Sequence, residues 1–426
     1  MNIENIRKLT KKKKIIYSVL FLNFLIVFAC LMDIMYNYLF GNYILENNIL
    51  FNNLHLVASY KNTFMDFFNS IQYGIHPYVN KVIYPPFINA VFALLGKIIE
   101  PLKDILVPSQ YRFTIQGIIS FFLFSLIETI ACFAAIKTMP GLSKKEKIFL
   151  STTLLFTEPF IFCLERGNCI LLSYALTLIF VNTYRDKDTT KKILGIVCLA
   201  MAVGIKIYPV FFGLLLIRER DWKAAALAIL IGSVVMFVPF IFFAPEDRSI
   251  SLWISNIVNC SEKFQMDGYG FKVNLSNTLK VFESYLNIET DRLSNVLICL
   301  VTLANCLIVI FDKKIDDWKT YMLLSLILIL IPSFSYTYTM IFVSIPFFYF
   351  LISNSEDLLY IPLYISSFVI VPLSNQFSFF KIINENVKYP YGLTNALESI
   401  SLLMFEIFLL VNCFYMLLRK PKKIDI

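Results

Sequence analysis

The chain is organised as long, uninterrupted apolar runs separated by short connections that hold much of its lysine and arginine. Ile15 to Tyr36 is one such run, long enough at about 1.5 Å per residue to cross a hydrocarbon core of roughly 30 Å. Others lie near 113–137, 147–164, 169–184, 193–217, 223–244, 293–311, 319–332, 338–353, 358–373 and 396–417. Lipid offers no hydrogen bonds to a bare backbone, so only helices or closed barrels span it. These runs are continuous rather than alternating, which selects helices. Across 426 residues, 58% hydrophobic against 16% charged excludes a water-soluble domain of this length. The expectation is an all-α polytopic membrane protein of about twelve membrane helical segments. No repeat or composition shift divides it, so residues 1–426 read as one domain.

The basic residues set the topology. Short, charged connections occur near 138–147 (GLSKKEK), 185–192 (RDKDTTKK), 218–223 (RERDWK) and 312–319 (DKKIDDWK). Together with the tails 1–14 and 418–426 they hold 23 Lys and Arg in about 55 residues. The remaining loops, 37–112, 245–292 and 374–395, hold 12 in about 146. The first set is therefore expected in the cytoplasm, with both termini, and the second outside. Two consequences follow. Pro85 to Ile99 lies along the outer interface as a juxtamembrane helix starting at Pro86, and 193–217 enters and returns as a hairpin broken at Lys206 to Pro209. The net charge of +8 is dispersed among these clusters, unlike a nucleic-acid-binding face. The N-terminal run is too long for a signal peptide core and reads as a retained anchor. The nine cysteines lack metal-ligand spacing and mostly sit inside apolar runs.

Ionisable groups at membrane depth are costly and so carry information. Glu128, Lys206 and the pair Glu165 and Arg166 are the main candidates, with Asp33 and Glu398 near interfaces. Each also has a structural reading as an ion pair or a snorkelling side chain. The first outer loop reads FMDFFNSIQYGIHPYVNKVIYPPF, placing Asp66 ahead of Pro77-Tyr78 and Tyr84-Pro85-Pro86. Such a proline-stiffened aromatic loop suits an active-site lid, whereas Asp66 alone also suits a helix cap. His76 in the same loop has no assigned role.

Three separated segments resemble the integral-membrane glycosyltransferases of family 87, within the GT-C class. They are Asp66-Phe67 with the two Tyr/Pro pairs, then Glu165-Arg166-Gly167-Asn168 followed by Gly204-Ile205-Lys206-Ile207-Tyr208-Pro209, and finally Pro332-Ser333-Phe334-Ser335-Tyr336. The resemblance implies a GT-C-like bundle with outer juxtamembrane helices in the first loop. It also implies a hexosyltransferase-like activity with inversion, moving a hexose such as mannose, or a pentose, from a polyprenyl-phosphate donor to a lipid or glycan acceptor at the outer face. Asp66 becomes the general base, with Asp33 the second choice. Arg166 and Lys206 become the ligands of the donor phosphate, supported by Tyr84, Glu165, Asn168 and Tyr208. Both tyrosines also fit the commoner role of interfacial anchors. No residue is assigned to a metal, and no cofactor is expected, because the polyprenyl-phosphate sugar is a substrate. The implied partners are membrane lipid, that donor and the acceptor, without nucleic acid, and the Ile-, Lys- and Asn-rich composition points to the plasma membrane of a bacterium. Two other readings compete: a flippase or transporter of lipid-linked saccharides, with Glu128 and Lys206 on the path, and a polymerase or ligase of such saccharides.

Overall fold

The fold is that of a computed structural model, which describes residues 3–40, 63–103, 105–266, 272–286, 291–353, 358–369 and 393–418. Asp267 to Gly270, most of the 374–395 segment and the basic tail after 418 lie outside these residues. The regular elements among the described residues are all helical, without strands, apart from a single bridge between Lys272 and Tyr336.

Within the described residues, each expected apolar run is predominantly helical. α1 is Ile3–Phe40, and the first loop then contributes α2 (Met65–Tyr73) and α3 (Pro86–Leu95), which starts at the expected proline. Pro86 fits there because the first helical position needs no amide donor. α4 (Ile115–Lys137) is followed by α5 (Lys144–Leu154) and α6 (Glu158–Arg166), two halves of one expected run bent by 54°. Pro159 explains the break, since it cannot continue the hydrogen-bond ladder of the helix before it. α7 is Ile170–Thr183 and α8 is Thr189–Ile205. A 3-10 turn, Tyr208–Gly213, and the short α9 (Leu214–Arg218) lead to α10 (Trp222–Phe237). The remainder comprises α11 (Ile250–Met266), α12 (Leu275–Leu286), α13 (Asp291–Phe311), α14 (Asp317–Leu330), α15 (Ser344–Ile352), α16 (Tyr360–Tyr364) and α17 (Leu393–Leu418).

Burial sorts these helices. In α14 every residue from Trp318 to Leu330 is buried, as expected of a helix apolar on all faces at the centre of a bundle. Trp318 packs edge-on against Phe350 and Tyr360, with ring centroids 5.0 and 4.9 Å apart. By contrast α10 leaves Ile229 and Leu230 71% and 63% exposed, a face that only lipid suits. Among the described residues, four helices are long and apolar enough to cross a membrane, or five if the bent pair forms one span. Four more apolar helices are only 10–17 residues long and, at about 1.5 Å per residue, fall short of roughly 30 Å unaided. Length alone thus accounts for fewer crossings than the twelve segments expected.

The basic connections gather at one end. Lys12 donates to the carbonyls of Phe350 and Ser353, and Lys13 pairs with Glu146 at 2.6 Å. Arg185 bridges Glu219 and Asp317, each at 2.7 Å, and Arg218 donates to the Val309 and Asp312 carbonyls. Lys192, in the first turn of α8, pairs with Asp221, just beyond α9. The chain therefore leaves this end along α8, breaks at Lys206 and comes back, as a hairpin requires.

The hairpin closure gives a pH prediction. Lys192, together with the Ala224 amide that donates to Asp221 Oδ1, holds the Asp221 carboxyl below its ordinary value. A carboxyl depressed in the folded state contributes stability above its unfolded pKa and loses it as pH falls. Asp221→Asn keeps a cap but removes the charge, so it lowers the melting temperature slightly at neutral pH, by an amount worth under about 1 kcal/mol. That deficit shrinks as pH falls below about 3.9, which thermal melts of detergent-solubilised protein across pH check directly.

Candidate active site

The opposite end is built from 63–112, 244–256 and 272–278, together with the turn at 332–338. Its centre is the junction of α6 and α7. Gly167 closes α6 in the left-handed conformation, φ +65°, and a Cβ there would lie 2.8 Å from the Cβ of Phe67. Glycine is thus required for both its backbone angle and the close approach of α2. The neighbouring Phe64 is itself left-handed at φ 62°, and its amide donates to the Glu165 carbonyl at 2.6 Å. Gly167→Ala incurs about 1–2 kcal/mol for the backbone angle, and the contact with Phe67 adds to it. A lower melting temperature and a smaller yield of monodisperse protein are the expected results.

This junction aims three side chains at one point. Asp66 sits in the first turn of α2, yet its carboxylate turns away from the helix, accepting from Arg166 through Oδ1 and from Asn168 Nδ2 through Oδ2 at 2.8 Å. The capping alternative for Asp66 therefore fails. Asn168 is held in one orientation, because its Oδ1 accepts from the Ile170 amide at 3.2 Å, leaving Nδ2 to face Asp66. The same Nδ2 lies 3.2 Å from the Tyr84 hydroxyl. Lys206, nearly buried at the hairpin break, places its ammonium 4.2 Å from the Tyr84 ring centroid. Gly204 brings that break close: a Cβ there would meet Val235 at 2.5 Å and Phe87 at 3.0 Å. Asp66, Asn168, Tyr84 and Lys206 form a continuous series across one wall. Burial, and after it the charge of Asp66, holds the Tyr84 phenol well above its ordinary value, so it stays neutral.

These residues line a cleft of about 460 Å³. Asp66, Arg166 and Lys206 open onto it with Tyr84 and Tyr208, while Tyr73, Lys81, Phe334, Tyr336 and Tyr338 complete the walls. Of the expected set, Glu165 contributes its backbone carbonyl to Phe64, and Asp33 lies in α1 with its side chain outside the described residues. Glu128 is wholly buried on α4 and is not among the cleft's lining residues. Sequence reasoning missed Lys81 and Tyr338, and named Tyr336 in the third segment without giving it a role. It also assigned no site residue to the 245–292 outer loop, whereas Asn274 Nδ2 donates to the Pro332 and Ser333 carbonyls at 3.1 and 2.7 Å and fixes the 332–336 turn. An Asn-x-Ser sequence has no signature for that role, since its partners are backbone atoms far along the chain.

In a helical membrane protein, a cleft that joins one carboxylate to several cations and tyrosines has the groups to accept a proton and to hold an anionic group. The model of glycosyltransferase family 87 matches residues 83–333, well over half of the chain, and the protein belongs to that family. The match takes in Tyr84, Arg166, Asn168, Lys206 and Tyr208, and begins after Asp66. No curated protein and no solved structure matches the chain.

Proposed function

We propose that the protein is an inverting, hexosyltransferase-like enzyme that moves a sugar, a hexose such as mannose or a pentose, from a polyprenyl-phosphate donor to a lipid or glycan acceptor. The reaction takes place on the outer face of a bacterial plasma membrane, within a GT-C-like bundle of about twelve embedded segments. The observation that supports it most is the pairing of Asp66 with Arg166 and Asn168 inside a cleft that also presents Lys206. Inversion needs one base, not two carboxylates, and the cleft has one such group among its lining residues. In the reaction, the acceptor oxygen bonds to the anomeric carbon as the bond to the phosphate oxygen breaks. The acceptor proton passes to Asp66, and the negative charge arising on the departing polyprenyl phosphate meets Arg166 and Lys206.

Arg166 has a double role in this reading. Its guanidinium holds Asp66 until a donor phosphate competes for the same N–H groups, and the shift frees a carboxylate oxygen to face the acceptor. Tyr84 and Tyr208 line the sugar side, Asn168 keeps Asp66 in register, and the Glu165 carbonyl anchors the turn at Phe64. The face is assigned from the clustering of basic connections at the end away from the cleft.

Purified protein in nanodiscs, given a panel of labelled polyprenyl-phosphate sugars and membrane extract, should release polyprenyl phosphate and form labelled product. A flippase relocates its substrate without cleaving it. Intact donor throughout, with lipid moved between leaflets, overturns the transferase reading.

A further inference from the structure

A second polar cluster lies beside the cleft and has no part in the proposed transfer. His76 follows α2, while Glu246 and Asp247 belong to a 3-10 turn after α10, some 170 residues further along the chain. The His76 Nδ1 lies 3.1 Å from Glu246 Oε1 and 3.4 Å from Asp247 Oδ2, and the three ligand atoms all fall within 4.8 Å of one another. Donors bound to one ion at roughly 2.0–2.2 Å sit about 3.0–3.5 Å apart, which is the spacing His76 keeps with both carboxylates.

Asp247 carries the argument further. Its side chain is wholly buried, and its Oδ1 accepts from the amides of Tyr78 and Val79 at 2.5 and 2.9 Å. Its Oδ2 has no hydrogen-bond partner among the described residues and faces the His76 ring. A buried carboxylate oxygen left in that way calls for a cation. The two amide bonds to Oδ1 act as the outer support that fixes a ligand's direction. His76 and Glu246 are about half exposed, which leaves an entry path from solvent. With a neutral imidazole and two carboxylates, a divalent ion brings the cluster to zero net charge.

We propose that His76, Glu246 and Asp247 form a binding site for a divalent transition-metal ion, of the class of Zn²⁺ or Mn²⁺. One imidazole with two carboxylates suits such ions. The ion clasps the loop after α2 to the segment after α10. That clasp matters to the cleft because the loop runs directly into its wall, at Asn80 to Tyr84. Other ties cross the same seam: Ala244 donates to the Ile75 carbonyl at 3.1 Å, Asn256 to that of Tyr78 at 2.7 Å and Trp253 to that of Ile83 at 3.1 Å. The ion is a structural clasp, and no step of glycosyl transfer passes through it.

The test uses full-length protein purified without a polyhistidine tag, stripped with chelator, loaded with Zn²⁺ or Mn²⁺ and dialysed. Metal content and thermal midpoint are then compared among wild type, His76→Ala and Glu246→Gln. Both replaced side chains are half exposed, and both variants leave the amide bonds of Asp247 in place. Wild type should retain a single equivalent and melt higher with metal, whereas each variant should bind at least about tenfold more weakly and lose the metal-dependent shift. Loading with Co²⁺ adds a readout independent of stability. Wild type should give visible bands of nitrogen and oxygen ligation, absent from both variants and without thiolate charge transfer. Equal metal retention in all three proteins, or a thiolate spectrum, overturns the proposal. So does a fall in midpoint on mutation that is the same with and without metal, which assigns the cluster to a protonated histidine ion pair. None of these readings depends on transferase activity.

Discussion

Asp66→Asn abolishes most sugar transfer, lowering kcat by about 10²- to 10⁴-fold, while donor affinity stays near that of wild type. The replacement keeps the shape of the side chain and one oxygen for Asn168 but cannot accept the acceptor's proton. Its effect should fall on kcat, because an interaction made only as the proton moves does not contribute to ground-state binding. Loss of the negative partner leaves Arg166 freer for the donor phosphate, so KM for donor holds or falls slightly. Steady-state assays with labelled donor, alongside size-exclusion profiles, separate this outcome from misfolding. Turnover at the wild-type rate removes Asp66 as the base.

Lys206→Met is the second large effect. It lowers kcat/KM by about 10²- to 10³-fold, the loss that follows removal of one preorganised stabiliser of developing charge. Methionine retains the length and packing over Tyr84, so the change isolates the ammonium. Because the phosphate is charged in both ground and transition states, the loss divides between KM and kcat, unlike that of Asp66→Asn. Competition binding of a polyprenyl phosphate should weaken in Lys206→Met and hold or tighten slightly in Asp66→Asn. Equal binding and kcat/KM in Lys206→Met and wild type would show that the ammonium does not meet the phosphate.

The contrast between these two residues reflects how legible each was in the sequence. Lys206 stood out because a charge inside an apolar run, followed by Tyr-Pro, marks both a cost and a helix break, and the pairing of Lys192 with Asp221 places that break at the far tip of a hairpin. Apolar periodicity and basic punctuation likewise located the long apolar helices, but not α2, α11 and α12, which lie in segments expected as outer loops. Asp66 was ambiguous in sequence, since an acidic residue in a first helical turn usually serves the helix itself. Only the long-range approach of Gly167 to Phe67, brought about by packing, turns its carboxylate to Arg166 and Asn168. The hold of Asn274 on the 332–336 turn and the meeting of His76 with Asp247 were not legible. Each depends on contacts between segments tens to hundreds of residues apart, which neither local period nor spacing encodes.

The most direct measurement is a structure of the protein in nanodiscs with a non-cleavable polyprenyl-phosphonate sugar bound. The phosphonate oxygens should lie within hydrogen-bonding distance of Lys206 and Arg166, with the Arg166 to Asp66 pair opened and Asp66 facing the side of the anomeric carbon opposite the phosphonate. A sugar bound elsewhere, or in the cleft with its phosphonate remote from Lys206 and the Asp66 to Arg166 pair intact, would contradict the assignment of this cleft as the transfer site.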